Sequence, residues 1–200
     1  MVQLILASGS IVRRTLLERA GLRVRVDQAT IDEVLPADAP PGDLAAALAL
    51  AKARTVAAWH PAAVVVGADQ VLVFRGRSLA KSATRTAARR RLSELSGRWH
   101  GFFSVAAVVH RHHEEVVAQQ VRVRFRRLTT TAVERYLDCG EWRGCVGCYQ
   151  IENLGASLIA EVDGDLNAVL GLPLYPLLGV LARFGIGPRQ LAFRSRTDDR

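Results

Sequence analysis

Residues 62–70 have the sequence AAVVVGADQ, in which a continuous apolar run leads directly into Asp69. A run of this kind is typical of a strand that is buried on both faces of a sheet. A carboxylate is costly inside such a core, so we expect Asp69 just beyond the strand, at its carboxyl end, where open sheets form their crevices. This stretch therefore predicts an α/β fold and supplies the first candidate functional residue.

Strand and helix patterns alternate on the amino-terminal side of this stretch. Residues 2–7 are a short apolar run, and the sequence SGS at residues 8–10 separates them from a helical pattern over residues 11–20. Residues 43–60 are rich in Ala and Leu and contain no Gly or Pro, which predicts a long helix. The order strand, turn, helix places the serine turn at a helix N-terminus.

The carboxyl-terminal side continues in the same way. A helix is predicted over residues 82–95, capped by its first serine, and the segments 102–109 and 115–125 predict a long hairpin. Helices that alternate with strands in this order predict α/β layers around a mixed sheet. Because no linker divides the chain, we expect one domain over residues 1–188 followed by a polar tail over residues 189–200.

The chain is strongly basic. Its 200 residues include 27 Lys and Arg against 19 Asp and Glu, a net charge of +8, and Lys52 and Lys81 are its only lysines. A basic chain generally has affinity for polyanions, such as nucleic acid, an anionic membrane surface or a phosphorylated small molecule. Composition bias accounts for most of the arginines, whereas two retained lysines indicate places where a compact, strongly hydrated charge is needed.

Some classes of protein are excluded by the sequence. No apolar run approaches the 18 or more residues of a membrane span, and the first seven residues lack the pattern of a signal peptide, so we expect a cytoplasmic protein without a membrane partner. Cys145 and Cys148 have CxxC spacing, but one such pair is a weak indication of zinc. We therefore expect reduced structural thiols.

The serine turn is the first candidate for binding an anion. Unpaired backbone N–H groups and the hydroxyls of Ser8 and Ser10 lie at a helix N-terminus, where the helix dipole favours negative charge. Arg13 and Arg14 are one turn further along and could reach back to a phosphate. The alternative is a helix-capping serine followed by two solvated arginines.

Asp69 and Glu33 are candidates for a metal site. Two carboxylates that converge would suit Mg²⁺ or Mn²⁺, which take oxygen ligands and bind substrate phosphates. The alternative for each acid is a loop cap or a surface ion pair. Similarly, Lys52 and Lys81 could be ordinary surface lysines.

The order and spacing of several short motifs resemble those of the Maf family of nucleoside triphosphate pyrophosphatases, over roughly residues 4–180. The matching segments are LASGS at 6–10, RR at 13–14, IDE at 31–33, LAKA at 50–53, GADQV at 67–71, Lys81, LSGR at 95–98, residues 144–156 and GLPL at 171–174. Each motif alone is modest, and together they are specific.

The resemblance implies a fold and an activity. The fold would be an elongated mixed β-sheet with flanking helices and two lobes around a central cleft, similar to that of inosine triphosphate pyrophosphatases, and a homodimer is expected. The activity would be metal-dependent hydrolysis of a nucleoside triphosphate to the monophosphate and pyrophosphate. The family is also associated with septum formation in cell division.

The resemblance also implies roles for individual residues. Asp69 would be the base that activates water for attack at the α-phosphorus, and with Glu33 it would hold Mg²⁺ or Mn²⁺. The residues expected to bind the triphosphate are Ser8, Ser10, Arg13, Lys52 and Lys81, with Arg14 as a further candidate.

The sequence departs from the family pattern in two informative places. Ile11 stands where the family has Pro, and this leaves open whether Arg13, Arg14 or both face the phosphates. Glu152 stands where many members carry Gln, at a position near the nucleobase, and with Gln70 it favours 7-methyl-GTP over dTTP or UTP. An acidic residue suits the cationic base of 7-methyl-GTP.

A binding module is the competing class of function. The arginines of residues 89–91 and 121–127 could bind nucleic acid or a cell-division partner. Only one aromatic residue interleaves with the second run and no recognition motif is present, so nucleic acid is the weaker expectation.

Overall fold

The computed structural model describes residues 2–31 and 39–188. Its strands are β1 (Leu4–Leu6), β2 (Val24–Val26), β3 (Val64–Phe74), β4 (Arg77–Leu79), β5 (Trp99–His110), β6 (His113–Phe125) and β7 (Ile159–Asp163). Its α-helices are α1 (Ile11–Arg19), α2 (Pro41–Trp59), α3 (Arg85–Leu95), α4 (Thr130–Asp138), α5 (Leu166–Val169) and α6 (Leu174–Arg183), and a 3₁₀ helix spans Leu154–Leu158. The expected mixed α/β fold with flanking helices is confirmed.

The strands form one mixed sheet in the order β2-β1-β3-β5-β6-β7. β1 runs parallel to both β2 and β3, whereas β3, β5, β6 and β7 pair antiparallel with one another in sequence. β4 pairs antiparallel with the far end of β3. The longest strand has 13 residues, so the sheet extends for about 40 Å along the strand direction.

The apolar core divides along the length of the sheet. At one end, α2 packs against one face of the sheet through Ala45, Ala49 and Ala53, while α1 and α6 cover the opposite face. At the other end, α3 and α4 pack on a separate cluster that includes Phe102 and Tyr149. The two ends form the two lobes expected on either side of a cleft.

Asp69 does not lie where the sequence pattern predicts it. β3 continues to Phe74, so Asp69 is in the middle of the strand, opposite Val105 of β5. The reason is that β1 pairs with residues 64–66 and β4 with residues 72–74. Within the described residues, the stretch of β3 between these partners is paired on one edge only, so a cleft reaches the carboxylate from the side.

Two smaller expectations are also corrected. α3 begins later than predicted, because Thr84 rather than Ser82 accepts the capping hydrogen bond. The short helix α5 was not predicted, since four residues are too few to show a helical period. Glu33 and the tail over residues 189–200 lie outside the described residues.

Candidate active site

A large cleft opens where one edge of β3 is unpaired among the described residues. Its volume is about 1140 Å³, which is ample for a nucleotide. Its walls come from the serine turn, α2, the middle of β3, the segment after β4, and the loop before β7. Among the residues proposed from the sequence for catalysis or substrate binding, those that line it are Ser8, Ser10, Arg13, Lys52, Asp69, Gln70, Lys81 and Glu152.

Asp69 forms an ion pair with Lys52 inside the cleft. Lys52 Nζ donates to Asp69 Oδ1 at 2.6 Å, and each side chain is only 14% exposed. Two opposite charges held in a partly desolvated site attract each other more strongly than at an open surface. The pair therefore fixes the carboxylate while both residues still face the cleft.

Gly67 allows this pair to form. A Cβ at Gly67 would lie 2.0 Å from the Ala49 carbonyl oxygen and 2.7 Å from the Ala53 backbone nitrogen. Helix α2 therefore packs directly on the backbone of β3, through the turn that contains Lys52. Because Gly67 and Asp69 point to the same face of the strand, this close approach brings the lysine to the carboxylate.

Arg13 is anchored deep in the cleft. Its Nε donates to the Gly171 carbonyl oxygen at 2.9 Å, and its Nη1 donates to the Ala68 carbonyl oxygen at 2.8 Å and to Ser8 Oγ at 3.2 Å. Burial lowers the pKa of the guanidinium from its ordinary value, and the nearby Asp69 carboxylate acts in the opposite direction. Arg13 thus provides a positive charge with a fixed orientation beside Asp69.

Arg14 points away from this site. Its Nε donates to Glu18 Oε1 at 2.7 Å, one helical turn further along α1, and its side chain is 54% exposed. An arginine paired on the outer face of a helix does not line the cleft. The structure thus places Arg13 beside Asp69 and leaves Arg14 at the surface.

The serine turn has the geometry of a helix start. Ser10 is the N-cap of α1, and its Oγ accepts from the Arg13 backbone N–H at 3.4 Å. Ser8 Oγ accepts from the Ser10 backbone N–H at 3.3 Å, and Ser8 is buried. The N-terminus of α1 therefore opens onto the cleft, where its dipole favours an anion.

Gln70 supports the cleft floor. It points to the opposite face of β3 from Asp69, and its Nε2 lies 2.9 Å from Ser104 Oγ and 2.9 Å from each of the Ala168 and Val169 carbonyl oxygens. The buried Ser104 hydroxyl also donates to the Ala168 carbonyl oxygen at 2.5 Å. Gln70 thereby ties β3 to the end of α5.

The opposite wall of the cleft is formed by residues 144–152. Glu141 holds this wall, because its carboxylate accepts from the Leu154 and Gly155 backbone N–H groups at 3.2 and 3.1 Å and from the Tyr136 hydroxyl at 3.0 Å. The Tyr136 oxygen in turn accepts from the Gln150 backbone N–H at 3.1 Å. These bonds set the path of the chain on both sides of Glu152.

The cysteines behave as expected. All three thiols are free. Burial raises the pKa of the Cys145 thiol, which lines the cleft, so this group is protonated near neutral pH and is a poor nucleophile. Cys148 is buried, and its thiol donates to Ser82 Oγ at 3.1 Å.

Several supporting residues could not be found by sequence reasoning. Ser104, Glu141 and the Gly171 carbonyl act through contacts with segments far away in the chain, so no local spacing indicates them. The role of Gly67 could have been inferred from the alanines at intervals of four along α2, because this pattern is typical of a helix that packs closely on a backbone.

A cleft that gathers basic side chains and a helix N-terminus around one carboxylate defines the class of a polyanion-binding α/β protein. The sequence matches the profile of the family described as Maf-like protein over residues 3–184. The chain belongs to the Maf-like protein family.

Similar proteins cover nearly the whole chain. The dTTP/UTP pyrophosphatase of Moorella thermoacetica is 43% identical over 93% of this chain and 97% of its own length. The nucleoside triphosphate pyrophosphatase of Rhodopseudomonas palustris is 44% identical over 89% and 92%, and the 7-methyl-GTP pyrophosphatase of Bordetella pertussis is 40% identical over 93% and 94%. Among solved structures, a HAM1 protein from Coxiella burnetii matches with a TM-score of 0.47 at 17% identity, over 64% of this chain and 75% of that one.

Proposed function

We propose that this protein is a nucleoside triphosphate pyrophosphatase that hydrolyses its substrate to the nucleoside monophosphate and pyrophosphate. The observation that carries the proposal is one cleft that Asp69 shares with the basic side chains of Arg13, Lys52 and Lys81. The names of the relatives, which are pyrophosphatases acting on dTTP and UTP, on 7-methyl-GTP or on nucleoside triphosphates, support the same activity.

The basic groups would bind and orient the triphosphate. Phosphoryl transfer depends mainly on positioning and on neutralising charge, and it needs little covalent chemistry from the protein. Arg13 offers a fixed guanidinium, and the N-terminus of α1 adds backbone N–H groups beside Ser8 and Ser10. Lys81, which also lines the cleft, supplies a further positive charge.

Asp69 would act as the general base. Water attacks the α-phosphorus, its proton passes to the Asp69 carboxylate, and the bond from the α-phosphorus to the bridging oxygen breaks so that pyrophosphate leaves. Lys52 holds Asp69 Oδ1 and leaves the rest of the carboxylate directed to the cleft. Glu33, the expected second carboxylate, lies outside the described residues.

A hard divalent cation, Mg²⁺ or Mn²⁺, is the cofactor that we propose for this activity. In the part of the chain that the structure describes, no cluster of three or more His, Cys, Asp or Glu side chains could hold a metal by itself. Mg²⁺ commonly takes one or two carboxylates together with substrate phosphates, a role open to Asp69 with Glu33. When bound, the cation would neutralise phosphate charge.

7-Methyl-GTP is the substrate that we propose as preferred. Glu152 lines the cleft, and a carboxylate there would attract the cationic base of 7-methyl-GTP. Gln70 contributes indirectly, because its amide group is occupied by Ser104 and the end of α5. Relatives named for dTTP and UTP are just as similar to the chain, so those nucleotides belong in the test.

The decisive experiment measures pyrophosphate release from dTTP, UTP, GTP and 7-methyl-GTP in the presence of Mg²⁺ or Mn²⁺. We expect the highest kcat/KM with 7-methyl-GTP. Asp69→Asn should reduce turnover by about 10²–10⁴-fold, the usual contribution of a general base. Asp163→Asn is a matched control, because Asp163 is an exposed carboxylate that pairs with Arg122 away from the cleft.

The result can contradict each part of the proposal separately. Turnover of no nucleotide in the panel would exclude the pyrophosphatase activity for this chain. A higher kcat/KM with dTTP or UTP would overturn only the base preference. Equal losses in Asp69→Asn and Asp163→Asn would remove Asp69 from its role as base.

A nucleic-acid-binding module is less well supported by the surface charges. Arg122 and Arg124 pair with Asp163 and Glu161, and Arg89 pairs with Glu134. Arginines that already face carboxylates contribute less to binding an external phosphate backbone. Binding that weakened steeply with salt and survived Asp69→Asn would favour this alternative.

A further inference from the structure

Lys81 lies on a stretch of chain with little regular structure of its own. It follows β4 and precedes α3, and its side chain is exposed at the cleft. Within the described residues, the Lys81 ammonium makes no hydrogen bond or ion pair. A long exposed side chain loses considerable rotamer freedom when it is ordered, so its use in binding depends on how well its backbone is held.

Arg91 of α3 ties this stretch to the neighbouring part of the cleft wall, residues 144–152. One nitrogen of its guanidinium, Nη1, donates to the Ala80 carbonyl oxygen at 3.1 Å and to the Val146 carbonyl oxygen at 2.8 Å. Ala80 immediately precedes Lys81, and Val146 lines the cleft. Arg91 therefore fixes the distance between the lysine segment and the wall over residues 144–152.

A second contact holds the other side of Lys81. The buried Cys148 thiol donates to Ser82 Oγ at 3.1 Å. The residues on both sides of the lysine are thus tied, and both ties involve the same wall of the cleft, either through Arg91 or directly. This arrangement restricts the backbone of Lys81 while its ammonium stays available.

The neighbouring arginines do not share this arrangement. Arg90 is 79% exposed and pairs with Glu94 at 3.7 Å, one turn along the same helix. Arg89 pairs with Glu134 of α4. Of the three consecutive arginines, Arg91 is the one directed toward the cleft segments.

We propose that Arg91 is a positioning residue for Lys81 and raises the affinity of the cleft for a triphosphate by holding the lysine segment against the wall over residues 144–152. This inference rests on the proposed function for its ligand. It gives a defined role to one arginine of the run at residues 89–91, which the sequence alone indicates only as a basic surface.

The test is a double-mutant cycle on the full chain. Arg91→Lys keeps the charge, but its side chain is one atom shorter, so the ammonium cannot take the place of the Nη1 that donates to both carbonyls. Arg90→Lys makes the same chemical change on the outer face of the helix. Both are combined with Lys81→Ala. Affinity for inorganic triphosphate is measured by calorimetry with Mg²⁺ present, and amide hydrogen exchange is followed over residues 80–83.

We expect Arg91→Lys to weaken triphosphate binding by about three- to tenfold and to speed exchange over residues 80–83, with neither change in Arg90→Lys. In the Lys81→Ala background the Arg91 effect should shrink to less than about twofold, because the positioned group is gone. An equal loss in both backgrounds, or unchanged exchange in Arg91→Lys, would overturn the proposal. Failure of triphosphate to bind overturns it too, whereas only missing nucleotide turnover overturns the proposed function.

Discussion

Arg13 and Arg14 are adjacent in the chain and differ in what their guanidinium groups contact. Arg13 donates to two carbonyl oxygens and one hydroxyl inside the cleft, whereas Arg14 pairs with Glu18 at the surface. A lysine at position 13 could not reach these acceptors together, because it carries a single compact ammonium. We expect Arg13→Lys to lower kcat/KM by about 10–100-fold and stability by about 1–3 kcal/mol.

Arg14→Lys is the matched control for this change. An exposed ion pair contributes little to stability, so the variant should stay within about twofold of the wild-type kcat/KM. Pyrophosphate release and urea unfolding of the two variants provide the comparison. Similar losses of kcat/KM in both variants would mean that both arginines act in the cleft, which would contradict the exposed position of Arg14.

His100 gives the protein a pH-dependent stability. It is buried beneath the cleft wall, with its Nε2 2.8 Å from the Tyr149 hydroxyl oxygen, and burial lowers its pKa to about 4. In the unfolded chain His100 therefore binds a proton near pH 6.5, whereas in the native protein it binds one only near pH 4. Stability is fully present above pH 6.5 and falls as the pH drops through this window.

The expected size of this pH effect follows from the difference between the pKa values of His100 in the unfolded and native states. From this residue alone, the free energy of unfolding should be about 2–3 kcal/mol smaller at pH 4.5 than at pH 7. His100→Gln should remove this part of the pH dependence even if the variant is less stable throughout, and the exposed His112→Gln should keep it. Urea unfolding at pH 4.5 and pH 7 measures this change in the free energy of unfolding. The same change in the wild type, His100→Gln and His112→Gln would contradict the role given to His100.

At the scale of elements, the close contact between α2 and β3 determines where Lys52 lies. Gly67→Ala would place a methyl group 2.0 Å from the Ala49 carbonyl oxygen, so the helix must move. We expect a loss of about 1–3 kcal/mol in stability, typical of overpacking. A fall in kcat should accompany it, because the helix that moves carries the partner of Asp69.

Gly179→Ala is the corresponding control on α6. A Cβ there meets nothing within 4 Å, and the position is exposed within a helix. Alanine should therefore stabilise the protein by about 0.5–1 kcal/mol without changing kcat. Urea midpoints and initial rates of the two variants test this difference. If Gly67→Ala kept the wild-type stability and kcat, the contact between α2 and β3 would not determine the geometry of the ion pair between Lys52 and Asp69.

Elements with a strong local pattern are the ones that the sequence predicts well. The apolar run before Asp69, the alanine-rich helix and the long hairpin all appear as β3, α2 and β5–β6. The end of β3 could not be predicted, because it depends on how short β1 is and on where β4 pairs. Contacts between distant segments, rather than local periodicity, determined that boundary.

The same limit applies to the candidate site. Asp69, Lys52 and Lys81 are found from residue type and motif, and the cleft does bring them together. The sequence could not distinguish Arg13 from Arg14, because the distinguishing contact is with Gly171, 158 residues away. The roles of these residues, and the expected homodimer, stay predictions for experiment.

Charge has different roles across the whole molecule. Outside the cleft, arginines pair with carboxylates on neighbouring elements, as Arg54 does with Glu114 and Arg183 with Glu115. Inside it, Lys81 and Arg13 face a space large enough for a nucleotide. The net charge of +8 is therefore a poor guide to the partner, and the location of a few charges is a better one.

Among the described residues, no helix is both long and apolar enough to span a membrane.

Metal binding should affect the activity of the protein and leave the stability of the whole fold unchanged. Because Mg²⁺ is commonly held by one or two carboxylates together with substrate phosphates, we expect a divalent cation to bind mainly when nucleotide is present. EDTA should therefore abolish pyrophosphate release and leave the Tm of the nucleotide-free protein within about 1 °C, because a ligand stabilises only the state that binds it. Mg²⁺ should restore activity, and in Asp163→Asn as fully as in the wild type. A large fall in Tm on chelation would instead indicate a structural metal, and activity that persisted in EDTA would exclude the metal-dependent mechanism.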